Sequence, residues 1–305
     1  MMQSNITFTH LNIERYSHLR TDKNLQNTPL HQKKYIVFCD GKPVFQLHSS
    51  SYDLTLPFFF HQDLEQQSTS IFLGKKEEHY LFAVELTEIP HPKDTYQKTF
   101  KAINLRKAAL FLHEEEVSLL GYAQSLLYWN RNCIYCNRCA QKLIPTLAGD
   151  KRICDHCNIE FYPRINPVVI MLIHTSDRRS VLLGRQERYP KGMYSCLAGF
   201  VETGETLQDA ICREVFEETG VLVQKESIEF IDHQPWPFPS QMMLGFIAQA
   251  QQTTIVLDDE LEDARWFSIS DLQNMRSSQH KNGYTIPNSV AIATSLIDIF
   301  LSRLS

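Results

Sequence analysis

Apolar positions along this chain alternate between two periods. Residues 35–39 and 44–47 read as strands on either side of Asp40-Gly41, a hairpin turn signal. Residues 71–73 and 80–84, separated by Gly74-Lys75-Lys76-Glu77-Glu78, predict a second hairpin. Helical spacing appears at 108–112 and again through Val117, Leu120, Ala123 and Leu127, ending near Trp129. These elements predict an α+β domain over residues 1–128, with a polar first 30 residues. A cysteine-rich segment covers 129–162. Beyond it, 168–173 and 181–184 read as strands, as do 228–231, 243–250 and Trp266-Phe267. A helix follows Thr206, and a last helix over 289–301 is expected to be capped by Asn288. Strands and helices mixed around a central helix predict an α/β class for 163–305, arranged as an α/β/α sandwich.

The helix after Thr206 carries a conflict. Thr206 with Asp209 is a capping signature, and Gly220 is a stop. Leu207, Ala210, Ile211 and Val215 recur at helical spacing. At about 100° per residue, Glu214 and Glu218 fall on the stripe of Leu207 and Ile211, with Glu217 at its edge. A carboxylate turned toward a core costs on the order of several kcal/mol, and neighbouring carboxylates repel. A divalent cation relieves both costs, and oxygen ligands suit Mg²⁺ or Mn²⁺. The competing reading is a solvated acidic helix end.

Eight cysteines are present, four of them as Cys133-x2-Cys136-x17-Cys154-x2-Cys157, a zinc-ribbon spacing. Four thiolates would close a structural Zn²⁺ site. Cys136-x2-Cys139 offers the same pair spacing, so the first pair is ambiguous from spacing alone, and a redox pair is the alternative to a metal site. Cys39, Cys196 and Cys212 read as small buried residues. A zinc thiolate site with leftover thiols points to a reducing compartment.

The net charge of −5 over 305 residues provides no global basic field for bulk nucleic-acid binding. No run approaches the roughly 18 apolar residues of a membrane span, and Leu56-Pro57-Phe58-Phe59-Phe60 reads as core or interface. The first residues lack an apolar signal region, and Arg15, Arg20 and Lys23 are offset by Glu14 and Asp22. The expectation is a cytoplasmic protein, with mitochondrial import left open.

Gln234-Pro235-Trp236-Pro237-Phe238-Pro239-Ser240-Gln241 reads as a stiff loop with two aromatic faces, suited to stacking on a flat ring or to a packed turn. Residues 199–221 resemble the Nudix box, Gly-x5-Glu-x7-Arg-Glu-(apolar)-x-Glu-Glu-x-Gly-(apolar), at every defined position. With the cysteines and the 234–241 array, the chain resembles the NADH pyrophosphatases of the Nudix superfamily over about residues 125–300. Two departures are Ser240-Gln241 in place of x-Ser, and Asn137 where glycine often follows the second cysteine.

The resemblance implies a Nudix sandwich with a zinc ribbon, the zinc ligands falling on Cys133, Cys136, Cys154 and Cys157. It implies divalent-metal ligands at Glu214, Glu218, Glu260 and the carbonyl of Ala198. Glu217 would be a further ligand or the general base, and Arg213 with Glu205 an orienting pair. The ring-binding positions fall on Tyr162, Phe200 and 234–241, with Ala291 near the ribose or base. Implied are hydrolysis of NADH or NAD⁺ to the mononucleotide and AMP, removal of NAD caps from RNA, and a homodimer. The alternatives are a Nudix hydrolase of ADP-ribose or a related compound, and a non-catalytic nucleotide- or RNA-binding protein.

Overall fold

The computed structural model describes residues 6–15, 17–21, 25, 27–47, 54–59, 64, 70–89, 99–257 and 259–304. Phe60 of the short apolar run and Asp258 of the acidic stretch lie outside the described residues. The chain forms two compact units, neither of them one continuous stretch. One comprises Phe8–Ile165 and Pro237–Ser240; the other comprises Met1–Thr7, Asn166–Trp236 and Gln241–Ser305.

In the first unit the strands are β1 (Lys33–Cys39), β2 (Lys42–Leu47), β3 (Leu54–Thr55), β4 (Ser70–Lys76), β5 (His79–Leu86) and β6 (Thr99–Ala102). Among the described residues they make one sheet in the order β3-β2-β1-β5-β4, with β6 also on β2. β1 and β5 run parallel; the predicted hairpins β1–β2 and β4–β5 are antiparallel. Tyr35, Val37, Val44, Phe72, Phe82 and Val84 pack into one buried cluster. Their neighbours Ile36, Phe38, Phe45, Ile71 and Leu73 are buried too, so both sheet faces are covered. Helix α1 (Leu105–Ala108) is capped by the Asn104 side chain, and α2 (Glu114–Asn132) buries the predicted stripe of Val117, Leu120, Ala123 and Leu127. The cysteine segment falls inside this same unit. It contains β7 (Ile144–Thr146), β8 (Lys151–Cys154) and β9 (Ile159–Phe161), paired antiparallel.

The second unit is the predicted sandwich. Its strands are β10 (Asn166–His174), β11 (Ser180–Arg185), β12 (Leu197–Phe200), β13 (Glu229–Trp236), β14 (Gln241–Gln249) and β15 (Asp263–Ser268). The order is β13-β14-β10-β11-β15, with β12 also on β10. Central β10 pairs parallel with β14 and antiparallel with β11 and β12. Its alternate residues serve two cores. Val169, Met171 and Ile173 pack with Ala210, Ile211 and Val215 of α3 (Leu207–Thr219). Ile170 and Leu172 pack with Leu272 and Met275 of α4 (Ile269–Arg276), and with Leu296, Ile297 and Phe300 of α5 (Ile292–Ser302). A strand covered on both faces reads as a continuous apolar run, as 168–173 does.

Helical spacing over 108–112 resolves as α1, which ends at Ala108, and two further helices differ from expectation. The last helix starts at Ile292, because the Asn288 side chain accepts from Val290 N–H in a tight turn instead of capping a helix. Helix α4 went unanticipated, although Ser268 and Asp271 close a capping box at its start. Among the described residues, no helix is long and apolar enough to cross a membrane.

Candidate active site

Helix α3 positions the acidic cluster. Thr206 caps it by accepting from Asp209 N–H, and Gly220 ends it in the left-handed region at φ 67°. Between these ends the apolar residues of the stripe fix the helix rotation against β10. The same rotation turns Glu214 and Glu218 inward, leaving them 9% and 3% exposed.

Arg213 organises the rim. Its guanidinium donates to both oxygens of Glu205 at 2.7 and 3.0 Å, to Glu214 at 3.0 Å, to Glu217 at 2.8 Å and to the Phe200 carbonyl at 2.9 Å. Glu205 also accepts from Glu202 N–H, which ties the glycine loop to the helix. The Arg213 bonds hold the Glu205 carboxyl below the usual range, and the three glutamates raise Arg213 further. Glu217 is the exposed member of the group.

The inner carboxylates behave oppositely. Burial pushes Glu214 up; Arg213 opposes this, while Glu217 and Glu260 add to it. Glu218 is pushed up to about 8 by burial first, then by the charges of Glu214 and Glu260. Its Oε2 is buried without a hydrogen-bond partner. An orphaned carboxylate oxygen is donor chemistry that suits a hard divalent cation, although among the described residues Glu214, Glu218 and Glu260 do not bring their oxygens as close together as the clustered thiols. Glu260 is solvent-exposed, and its charge adds to the upward push on both buried carboxyls. Ala198 is half-buried on β12 opposite Ile170. The next residue, Gly199, leaves the space that the Glu214 carboxyl fills.

Phe200, at the end of β12, keeps 52% of its surface exposed beside this cluster. Tyr162 belongs to the other unit, where it is 49% exposed and its hydroxyl donates to Glu160. Ala291 is half-buried at the start of α5.

The 234–241 segment, expected as a stiff loop, is a hairpin. Gln234, Pro235 and Trp236 pair with Met243, Met242 and Gln241, with Pro235 tolerated because β13 is an edge strand. The Gln234 amide is 1% exposed and internally committed, which removes it from ring binding. It donates to the carbonyls of Thr7 and Val290 and accepts from Ile292 N–H at 2.9 Å. In the turn, the carbonyls of Pro237 and Pro239 accept from Gln124 and Ser125 of α2, and the Ser240 hydroxyl donates to the Arg164 carbonyl. The Phe238 ring lies 4.3 Å under the Arg106 guanidinium and edge-on to Phe8.

The cysteine cluster corrects one expected ligand. Sγ atoms of Cys136, Cys139, Cys154 and Cys157 lie within 4.8 Å of one another; Cys133 is not among them. Cys133 ends α2, its N–H bonded to the Trp129 carbonyl. The turn from Cys136 to Ala140 brings Cys139 onto Cys154 at 3.5 Å. Tetrahedral zinc with bonds of about 2.3 Å would space its sulfurs by about 3.8 Å, so the cluster has zinc-site dimensions. Against the pull of burial, the N–H groups of Arg138 and Cys139 lower the Cys136 thiol to about 7; sharing protons with Cys139 pushes Cys157 up to about 12. Four thiols this close cannot all ionise unaided, and a cation resolves that. All eight cysteines are free.

Arg185 and Tyr189 escaped the sequence reading, having no motif around them. Tyr189 is pushed up by burial, with Glu218 among the charges adding to the shift.

The NUDIX domain family matches residues 164–287, and the NADH pyrophosphatase-like rudimentary NUDIX domain matches residues 32–129. The NAD-capped RNA hydrolase of Schizosaccharomyces pombe is 30% identical over 351 residues, 96% of this chain and 92% of that protein. The NAD-capped RNA hydrolase NUDT12 of Homo sapiens is 40% identical over 199 residues, 62% of this chain and 43% of that protein. This chain therefore matches less than half the length of the human relative. The mitochondrial NAD(P)H pyrophosphatase NUDT13 of Homo sapiens is 36% identical over 266 residues, 80% of this chain and 74% of that protein.

Proposed function

This chain belongs to the Nudix hydrolases with an NADH pyrophosphatase-like leading domain, and from that premise we propose that it hydrolyses the pyrophosphate of NADH or NAD⁺. The products are nicotinamide mononucleotide and AMP. Cleavage of the same bond removes an NAD cap from an RNA 5′ end. The observation that carries this reading is the buried Glu214–Glu218 pair with its orphaned Oε2.

Glu214, Glu218, Glu260 and the Ala198 carbonyl would hold Mg²⁺ or Mn²⁺. Such a cation, when bound, neutralises pyrophosphate oxygens and lowers the pKa of the attacking water. Arg213 ties Glu205, Glu217 and Glu214 together and holds the Phe200 carbonyl at the end of β12. We read the exposed Glu217 as the group that takes a proton or adds a ligand, its bond to Arg213 supporting that reading. The exposed Phe200 ring offers a face for the nicotinamide or adenine.

Zinc held by Cys136, Cys139, Cys154 and Cys157 would be structural, because four thiolates leave no open position. The free thiols fit a reducing compartment, for which we propose the cytoplasm, with mitochondrial import the alternative. Exposed Phe216, Leu222 and Val256 around the end of α3 suit a homodimer, which light scattering tests.

Incubation with NADH, NAD⁺, ADP-ribose or an NAD-capped RNA, each with Mg²⁺ or Mn²⁺, tests the activity by product chromatography. Mononucleotide plus AMP from NADH or NAD⁺ is expected, and processed RNA from the capped substrate. Faster turnover of ADP-ribose overturns the substrate assignment. Full activity in Glu218→Gln overturns the mechanism.

A further inference from the structure

Three contacts pin the acidic loop before β15 to the end of β11. Glu262 N–H donates to the Arg185 carbonyl at 2.9 Å. Leu261, 7% exposed, packs against Gly184, where an added Cβ would lie 3.0 Å from Leu261 Cδ1 and 2.7 Å from Leu197 Cδ2. The third contact is the Arg185 side chain. It is 8% exposed, and its Nε bonds the Glu262 carboxylate at 2.8 Å. The rest of the same guanidinium donates to the carbonyls of Tyr189, Pro190 and Met193.

Arg185 therefore joins two loops. One carries Tyr189; the other carries Glu260, one residue before Leu261. Glu260 itself is exposed on that loop, three residues before Asp263, which pairs with Arg185 in the sheet. A planar guanidinium fork can hold one carboxylate and three carbonyls together; a lysine ammonium cannot reproduce that geometry.

We propose that Arg185 is a positioning residue that, through Glu262, sets Glu260 toward the Glu214–Glu218 pair and so tunes divalent-metal affinity. The proposal rests on the metal-dependent reading above. Residues that orient a ligand from behind typically alter metal affinity by about 10–100-fold.

The test is Mn²⁺ titration of the full chain, following free Mn²⁺ by electron paramagnetic resonance, with thermal unfolding measured alongside. The variants are Arg185→Lys, Arg185→Met, Glu262→Gln, Glu260→Gln and Glu218→Gln. Glu262→Gln alters an exposed side chain and keeps the proposal testable should Arg185→Met fail to fold. Expected is about a tenfold loss of Mn²⁺ affinity in Glu262→Gln and in Arg185→Lys. Adding Arg185→Met or Glu262→Gln to Glu260→Gln should bring less than about a twofold further loss, because both act through one ligand. Wild-type Mn²⁺ affinity in Glu262→Gln and Arg185→Lys overturns the proposal, as does a loss fully additive with Glu260→Gln. Unchanged affinity in Glu260→Gln but weak binding in Glu218→Gln also overturns it, leaving the metal site standing. Unchanged affinity in both of those variants sinks the metal reading together with the proposal.

Discussion

The carboxyl group of Glu214 occupies the space in front of Gly199. A Cβ built on that glycine would stand 1.8 Å from the Glu214 carboxyl carbon and 2.1 Å from each oxygen. In Gly199→Ala the flexible carboxylate must move, since the strand backbone cannot. The expected outcome is a loss of activity of about 100-fold or more with only ~1 kcal/mol of destabilisation. Parallel kinetics and denaturant unfolding check this. Wild-type turnover would mean that the position of Glu214 is irrelevant to the chemistry.

Stability should depend on pH through Glu218. Burial raises its carboxyl from the ordinary 4.5 to about 8, so in chelator the folded protein holds a proton that the unfolded chain releases. This stabilising contribution is fully present below about pH 4.5 and is lost as pH rises through 8. Unfolding in EDTA should therefore show stability falling over that window, and Glu218→Gln should flatten the slope. A profile that rises from pH 5 to 8 in the wild type, unchanged in the variant, would contradict it.

Gln234→Ala removes a side chain that satisfies one N–H and two carbonyls inside the second unit. Leaving buried groups unpaired costs about 1–3 kcal/mol each, so a loss of roughly 2–4 kcal/mol is expected. Its signature is a lowered unfolding midpoint with an unchanged ratio of NADH to ADP-ribose turnover. A changed ratio at unchanged stability would return Gln234 to substrate contact.

Cys139→Ser and Cys133→Ser should separate cleanly. The first removes a member of the four-thiol cluster and should reduce bound zinc, measured by plasma mass spectrometry on purified protein. The second replaces a residue that ends α2 and should leave zinc near one per chain. Equal zinc loss in both would argue for ligand exchange between Cys133 and Cys139.

The legible parts of the molecule were those carried by local periodicity. Glu214 and Glu218 could be placed inward because Leu207, Ile211 and Val215 fix the rotation of α3 within two turns. The continuous apolar run of β10 likewise marks a strand covered on both faces, as in the sandwich. Cys139 was within reach: Cys136-x2-Cys139-x14-Cys154-x2-Cys157 is an equally good spacing, and family likeness had favoured Cys133. Gln234 was out of reach, since its partners Thr7, Val290 and Ile292 lie 227, 56 and 58 residues away. A Pro-rich sequence disguised the strand it belongs to. Arg185 had no local signal, because its partners are backbone carbonyls and one acid on a separate loop.

The discontinuity of the second unit has a consequence for biosynthesis. Its core contains Ile6 from the start of the chain and Leu296, Ile297 and Phe300 from α5. The Gln234 side chain binds Thr7 and the first turn of α5 at once. During translation, residues 166–249 can pair into a sheet, but the face that receives α5 stays uncovered until the codons near 300 have been read. A ribosome stalled between the acidic helix and α5 would thus display an incomplete, apolar intermediate. For the same reason a fragment limited to 164–287 would carry every carboxylate of the cluster and lack the side chains that close its core.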